Sequence, residues 1–301
     1  MHTLRGRLLV FSAAFLWGTS AALARFVFHQ RHAPVLTVVE LRLLVSVAIL
    51  APYLAWRRPA LLRIDPRDLG YFLILGLFGV AAVQGSYYRS IAVLGVGLSI
   101  LIQYVSPALI VLFEVARGRR VGAAMWIAVV AAILGVSLVI GNLDPSAIHA
   151  RPLDWAVGLA SALSFAFYII YSKRGLARYA PETVLLYTFV IAGLFWAIVT
   201  PPWKIIAARY DAQMWIMFVA LGVFSTLLPF RLFYSGLRHL TPPEAGVVAT
   251  MEPVIAVLAA AVFLGEWLTP LQWLGAALVV TGTVLTSVRV PEIAPAQSER
   301  G

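Results

Sequence analysis

Long apolar runs separated by short polar breaks recur from one end of this sequence to the other. Ten can be marked, at about 8–28, 35–56, 69–88, 92–115, 121–141, 153–173, 182–201, 212–234, 243–264 and 270–288. Each is close to the roughly 20 residues an α-helix needs to cross roughly 30 Å of hydrocarbon. Membrane strands do not account for them, because such strands are only about 9–11 residues long and alternate polar with apolar side chains. A helix, by contrast, satisfies its own backbone where no water is available. The sequence therefore predicts an all-α integral membrane protein with ten transmembrane helices and little chain left for a water-soluble domain.

Composition excludes several function classes. Hydrophobic residues make up 61% of the 301 and charged residues only 12%, about half the share in ordinary soluble domains. The formal charge of +10 does not point to nucleic acid, because the basic residues lie in the breaks rather than along one stripe. With no cysteine there is neither disulfide nor thiolate metal site. His2, His29, His32, His149 and His239 all fall in tails or breaks. No HExxH, P-loop, buried Ser-His-Asp pattern or selectivity filter is present. We expect no metal, no cofactor and no enzyme chemistry. The run beginning near Leu8 is too long for a signal peptide and lacks a cleavage pattern, so it reads as the first span.

The breaks also orient the chain. The amino terminus, the even-numbered breaks and the carboxyl terminus hold 15 Lys and Arg, whereas the opposite side holds 5: Arg31, Arg89, Arg151, Lys204 and Arg209. Arg25, Arg42 and Arg231 lie within spans. By the positive-inside rule both termini are expected in the cytoplasm. A weak repeat is ordered along the chain: Ala33-Pro34 matches Ala180-Pro181, Tyr88 and Pro107 match Tyr234 and Pro253, and Trp126 and Gly135 match Trp273 and Gly282. Residues 1–145 and 146–290 would each carry five helices, an odd number, so the two copies would be inverted across the membrane, as in many secondary transporters. Residues 291–301, PEIAPAQSERG, read as a flexible cytoplasmic tail.

Polar groups inside the runs are the candidate functional residues, since an ionisable side chain at membrane depth is costly to keep. Glu252 sits mid-run beside Pro253, and Arg42 about a third of the way into its own. They would form a structural ion pair or contact a solute or proton. Pro107 and Pro253 are candidate bends, leaving carbonyls near Gln103 and Thr250 in need of partners. Trp17, Gln84, Tyr88, Gln103, Tyr104, Phe165, Tyr168, Tyr187 and Tyr234 are candidates for cavity walls that mix aromatic and hydrogen-bonding groups. Trp56, Trp203, Trp215 and Trp267 read instead as interfacial anchors. Glu40 reads as a helix-end or loop contact, and Arg25, Glu114, Arg231 and Glu244 as snorkelling groups near span ends.

The stretches FLWGTSAALARF, ELRLLVS and TMEPVIAVLAAAVFLGEWLTPLQWLGAALVVTG resemble the EamA type of the drug/metabolite transporter superfamily. The likeness spans nearly the whole chain as two halves, sharper in the second. The first half departs from the pattern at Ser106 before Pro107 and at Arg119-Arg120. The chain is also similar to the YddG-like amino-acid exporters. The resemblance implies a ten-helix bacterial inner-membrane carrier with a central cavity lined by helices three, four, eight and nine. It implies export of amino acids, aromatic ones among them, by alternating access. Export of drugs or other organic cations is the alternative, and a non-transporting receptor or scaffold the alternative of another class. The expected partners are a small solute and the lipid bilayer; the oligomeric state stays open, a monomer being compatible.

Overall fold

The computed structural model describes residues 2–29, 31, 33–141, 150–264 and 268–286. Trp267, residues 142–149 of the break between the fifth and sixth runs, the 291–301 tail and the side chain of Arg25 lie outside the described residues. Each expected run is helical. We label them α1 (His2–His29), α2 (Val35–Arg57), α3 (Pro66–Leu94), α4 (Val96–Ala116), α5 (Ala123–Ile140), α6 (Pro152–Leu176), α7 (Pro181–Val199) and α8 (Ala212–Leu237). The ninth, α9, has two pieces, Pro242–Ala249 and Met251–Leu264, and α10 is Pro270–Leu285. Among the described residues seven of these, α2 to α8, are long and apolar enough by length and composition to cross a membrane. Large apolar side chains such as Ile198 (80% exposed) and Val262 (78% exposed) point outward from the bundle. A surface of that kind is stable against lipid rather than water.

Local sequence sets the helix ends. Proline occupies the first turn of α6, α7, α9 and α10, where its missing N–H costs nothing. Thr241 with Glu244, and Thr269 with Gln272, close capping boxes at α9 and α10. Gly95, at φ 79°, makes the one-residue turn between α3 and α4, a left-handed backbone that a residue with a Cβ adopts only under strain.

Among the described residues four helices are interrupted or widened within their length, in two pairs. The segment Tyr104–Val105 interrupts α4 just ahead of Pro107, and Thr250 interrupts α9 just ahead of Pro253, as expected of a ring that clashes with the preceding turn. The carbonyls released, four residues before each proline, are those of Gln103 and Ala249. Widened π turns occupy Leu75–Ala81 in α3 and Val223–Leu227 in α8.

Packing is reciprocal. Helix α1 lies against α8 and α9, whereas α6 lies against α3 and α4; α2 pairs with α7, and α5 with α10. In the last pair Gly135 and Gly275 face each other so tightly that a Cβ on either would stand 2.7 Å from the other's carbonyl oxygen. Arg7 of α1 donates to the carbonyl of Thr286, just past α10, at 2.7 Å. The start of the first helix and the end of the last therefore lie at one face, called here the amino-terminal face. Arg31, after α1, meets Asp211 ahead of α8 at 3.7 Å on the opposite face.

Candidate functional site

The irregular turns place polar groups in the middle of the bundle. Arg42 of α2 is 6% exposed. Its Nε donates to Thr226 Oγ1 at 2.7 Å and its Nη2 to the carbonyl of Ser225 at 3.1 Å. Both acceptors belong to the π turn of α8, and Pro229, four residues after Ser225, has no N–H to offer the Ser225 carbonyl. A further donor, Nη1, bonds the hydroxyl of Tyr88 on α3, and the guanidinium carbon lies 6.0 Å from that ring's centroid. Ser46 donates to the carbonyls of Arg42 and Gly222 at 2.7 and 3.0 Å, fastening α2 to α8 beside this point. The three groups that take up Arg42's donors are neutral. No carboxylate among the described residues lies within ion-pair distance of it.

Glu252 lies across from it on α9, partly buried. Its Oε2 accepts from the hydroxyl of Tyr104 at 2.7 Å. The same hydroxyl stands 3.2 Å from the carbonyl of Ala249, the oxygen that Pro253 left without a helical donor. Thus the break in α4 supplies the partner for the break in α9. The sequence left open whether Arg42 and Glu252 form an ion pair; they do not, although Tyr87 is within electrostatic reach of both. Gly18 explains how α1 packs here, since a Cβ would stand 2.7 Å from the Glu252 carbonyl.

An aromatic group adjoins these charges. Phe165 meets Tyr104 edge-on at 6.4 Å and stacks on Tyr168 at 6.1 Å, and Tyr168 stacks on Tyr234 at 5.5 Å. Trp17 packs edge-on against Phe230 at 5.2 Å. Gln84 is buried and borders a cavity of about 20 Å³ with Val80, Val83, Phe165, Tyr168 and Phe230. Tyr234 is wholly buried and its hydroxyl accepts from Ser172 at 3.3 Å.

Some expected site residues stand elsewhere. Tyr187 donates to the carbonyl of Leu62 at 2.6 Å, so it fastens the turn after α2 rather than lining the centre. Gln103 accepts from Ser161 of α6 at 2.8 Å, which makes it a tie between helices. Glu40 is no loop contact: it is fully buried, and neither carboxylate oxygen has a hydrogen-bond partner among the described residues. Glu114, Arg231 and Glu244 do lie in ion pairs near helix ends, with Arg119, Glu182 and Arg7 respectively. Thr226, the Ser225 carbonyl and Phe230 escaped the sequence reading. Their signal was the polar pair in VFSTLLPF, just ahead of Pro229.

The site thus holds a buried cation and a carboxylate that form no ion pair with any group among the described residues, with aromatic rings beside them. Among the described residues no three His, Cys, Asp or Glu gather as metal ligands would. Such a site suits a small solute that carries both charges and an organic body.

Comparison with known proteins gives a consistent picture. The model of the EamA-like transporter family matches residues 4–141 and again 155–288. "Uncharacterized inner membrane transporter YicL" of Salmonella typhimurium is 27% identical over 95% of this chain and 96% of its own. The threonine/homoserine exporter RhtA of Escherichia coli (strain K12) is 28% identical over 94% of this chain and 90% of its own. An uncharacterized transporter of Archaeoglobus fulgidus is 28% identical over 73% of this chain and 78% of its own. A solved crystal structure at 20% identity superposes with a TM-score of 0.74 over 94% of this chain and 97% of its own, a likeness of fold alone.

Proposed function

Because this chain belongs to the EamA-like transporter family of the drug/metabolite transporter superfamily, we propose that it exports amino acids from the cytoplasm by alternating access through the centre of the bundle. The coarser statement needs no proposal: it is a multi-pass membrane protein that carries a small solute across the bilayer as a secondary transporter. The observation that carries the finer reading is the separation of Arg42 from Glu252. An α-amino acid brings a carboxylate for the first and an ammonium for the second. Leaving either charge buried and unanswered costs several kcal/mol, so a zwitterion is bound where either ion alone would leave one charge unmatched.

The side chain of the solute would pack against Trp17, Tyr88, Phe165 and Phe230, which supports aromatic amino acids within the range, as in YddG-like exporters. The name of the RhtA relative, a threonine/homoserine exporter, supports small polar ones. Ten spans in two inverted five-helix halves, residues 1–145 and 146–290, are supported by the reciprocal packing, by the paired breaks in α4 and α9 and by the paired π turns in α3 and α8. Rocking of those halves about the broken helices would expose the site to each side by turns. The basic bias of one face and the printed name of the YicL relative support a bacterial inner membrane with both termini in the cytoplasm.

The test is purified protein in liposomes preloaded with a mixed pool of labelled amino acids and organic cations. Saturable release of amino acids, competed by other zwitterions and not by cationic dyes, is the expected result. Release of the cations alone would transfer the site to organic-cation export, the reading favoured by Glu252 and its aromatic neighbours without Arg42.

A further inference from the structure

At the amino-terminal face an open cavity of about 630 Å³ lies between the end of α4, the end of α6 and the turn that joins α8 to α9. It shares no lining residue with the Arg42–Glu252 site. Its fixed cations are Arg117, Arg119, Lys173, Arg174 and Arg238, and its carboxylates Glu114 and Glu244. Both carboxylates are already committed. Glu114 holds Arg119 at 2.7 Å, and Glu244 holds Arg7 at 3.2 Å while closing the cap on Thr241. Lys173 is committed too, because its Nζ donates to the carbonyls of Leu237, Arg238 and Leu240 at 2.6, 3.0 and 2.7 Å. Arg117 lies over the ring of Phe113 at 5.5 Å.

Two guanidinium groups remain that have neither a ring contact nor a polar partner among the described residues. Neither Arg174 nor Arg238 has a side-chain hydrogen bond or an ion pair among the described residues, though both border the cavity. A planar guanidinium presents paired N–H donors in a fork that matches the oxygens of a phosphate or a carboxylate. The rest of the wall is amphiphilic, with Phe113, Ile170, Leu240 and Pro242 beside the cations. We infer that this cavity binds a phosphate-bearing anion through Arg174 and Arg238, the apolar wall receiving whatever hydrocarbon the anion carries. An anionic phospholipid headgroup and free phosphate share that chemistry; the apolar wall fits the lipid, since basic pockets between helices at a membrane face take such headgroups.

His239 reports on the same field. Burial, with the charges of Arg5, His2, Arg238 and Lys173 around it, holds its imidazole below the ordinary value. An anion seated among those cations would oppose their effect, so occupancy raises the His239 pKa.

The full chain would be placed in nanodiscs of phosphatidylcholine with and without phosphatidylglycerol, and separately titrated with inorganic phosphate. His239 would be followed by NMR of labelled histidine and assigned with His239→Asn. Lipid bound per protein would be counted by native mass spectrometry. A rise in the His239 pKa with one retained phosphatidylglycerol assigns the lipid, and a rise with inorganic phosphate alone assigns the free anion; either supports the site. The double variant Arg174→Gln/Arg238→Gln should remove that increment and weaken binding roughly tenfold per guanidinium. Arg174→Lys/Arg238→Lys keeps the charge and loses the fork, so it should weaken binding less. No rise with either probe, or a rise undiminished in the glutamine variant, would overturn the proposal, the latter because it reports only the general field of an anionic bilayer. Amino-acid release from liposomes is scored separately, so failure here leaves the transport reading standing and the reverse also holds.

Discussion

The hydroxyl of Tyr104 has one proton and two acceptors within reach, the carboxylate of Glu252 and the carbonyl of Ala249. With Glu252 ionised, the proton goes to the carboxylate. With Glu252 protonated, the carboxyl can donate to Tyr104, which then serves Ala249. Replacing Tyr104 with Phe leaves a buried carbonyl unanswered and should cost about 1–3 kcal/mol, measurable by denaturant unfolding in detergent. Arg42 offers a second test. Lysine at that position keeps the charge but cannot reach Thr226, Tyr88 and the Ser225 carbonyl together. We expect Arg42→Lys to slow amino-acid release from liposomes about tenfold and Arg42→Gln to slow it further, each lost charge-assisted contact being worth about 1.5–3 kcal/mol. Release unchanged in Arg42→Gln would take Arg42 out of the site.

Helix α9 owes its break to one residue. Alanine in place of Pro253 returns an N–H to the Ala249 carbonyl, so the helix should close and gain up to about 3 kcal/mol. The same change should slow transport, because the break is where the halves would flex, and circular dichroism melting alongside the release assay checks both. It should also abolish most of the cost of Tyr104→Phe, since the carbonyl no longer needs that hydroxyl; a double-mutant cycle reads this coupling directly. The α5–α10 pair makes a different demand. Leucine at Gly275 would drive a side chain into the backbone of Gly135 and Val139. A destabilisation of about 1–3 kcal/mol or more is expected from such overpacking, visible as a lowered melting temperature with the site residues untouched.

Taken whole, the molecule is a bundle whose outer surface is apolar and whose charges lie at its faces and its centre. The absence of native cysteine makes the proposed topology simple to test. Single cysteines at Arg5 and Ser298 should react with an impermeant maleimide only from the cytoplasmic side of oriented vesicles, and one at Ala208 only from the other. Reaction of Arg5→Cys and Ser298→Cys from opposite sides would dismantle the two-inverted-halves reading.

Helix positions, the bends before Pro107 and Pro253, and the costliness of Arg42 and Glu252 were legible in the linear order of residues. Hydropathy summed over a span, and a ring that lacks an N–H, act locally and need no knowledge of neighbours. Partnership was not legible in that way. Arg42 meets Thr226 across 184 positions, and Tyr104 meets Glu252 across 148. Tyr187 and Gln103 carried the same polar-aromatic signal as the central residues, yet their helices turned them toward Leu62 and Ser161. In lipid every apolar face is nearly as good as another, so helix rotation is decided by close fits such as Gly18 on α9 and Gly222 on Val45 of α2. Those fits are what brought a guanidinium and a carboxylate that form no ion pair among the described residues into one site, and no property of either stretch alone contains them.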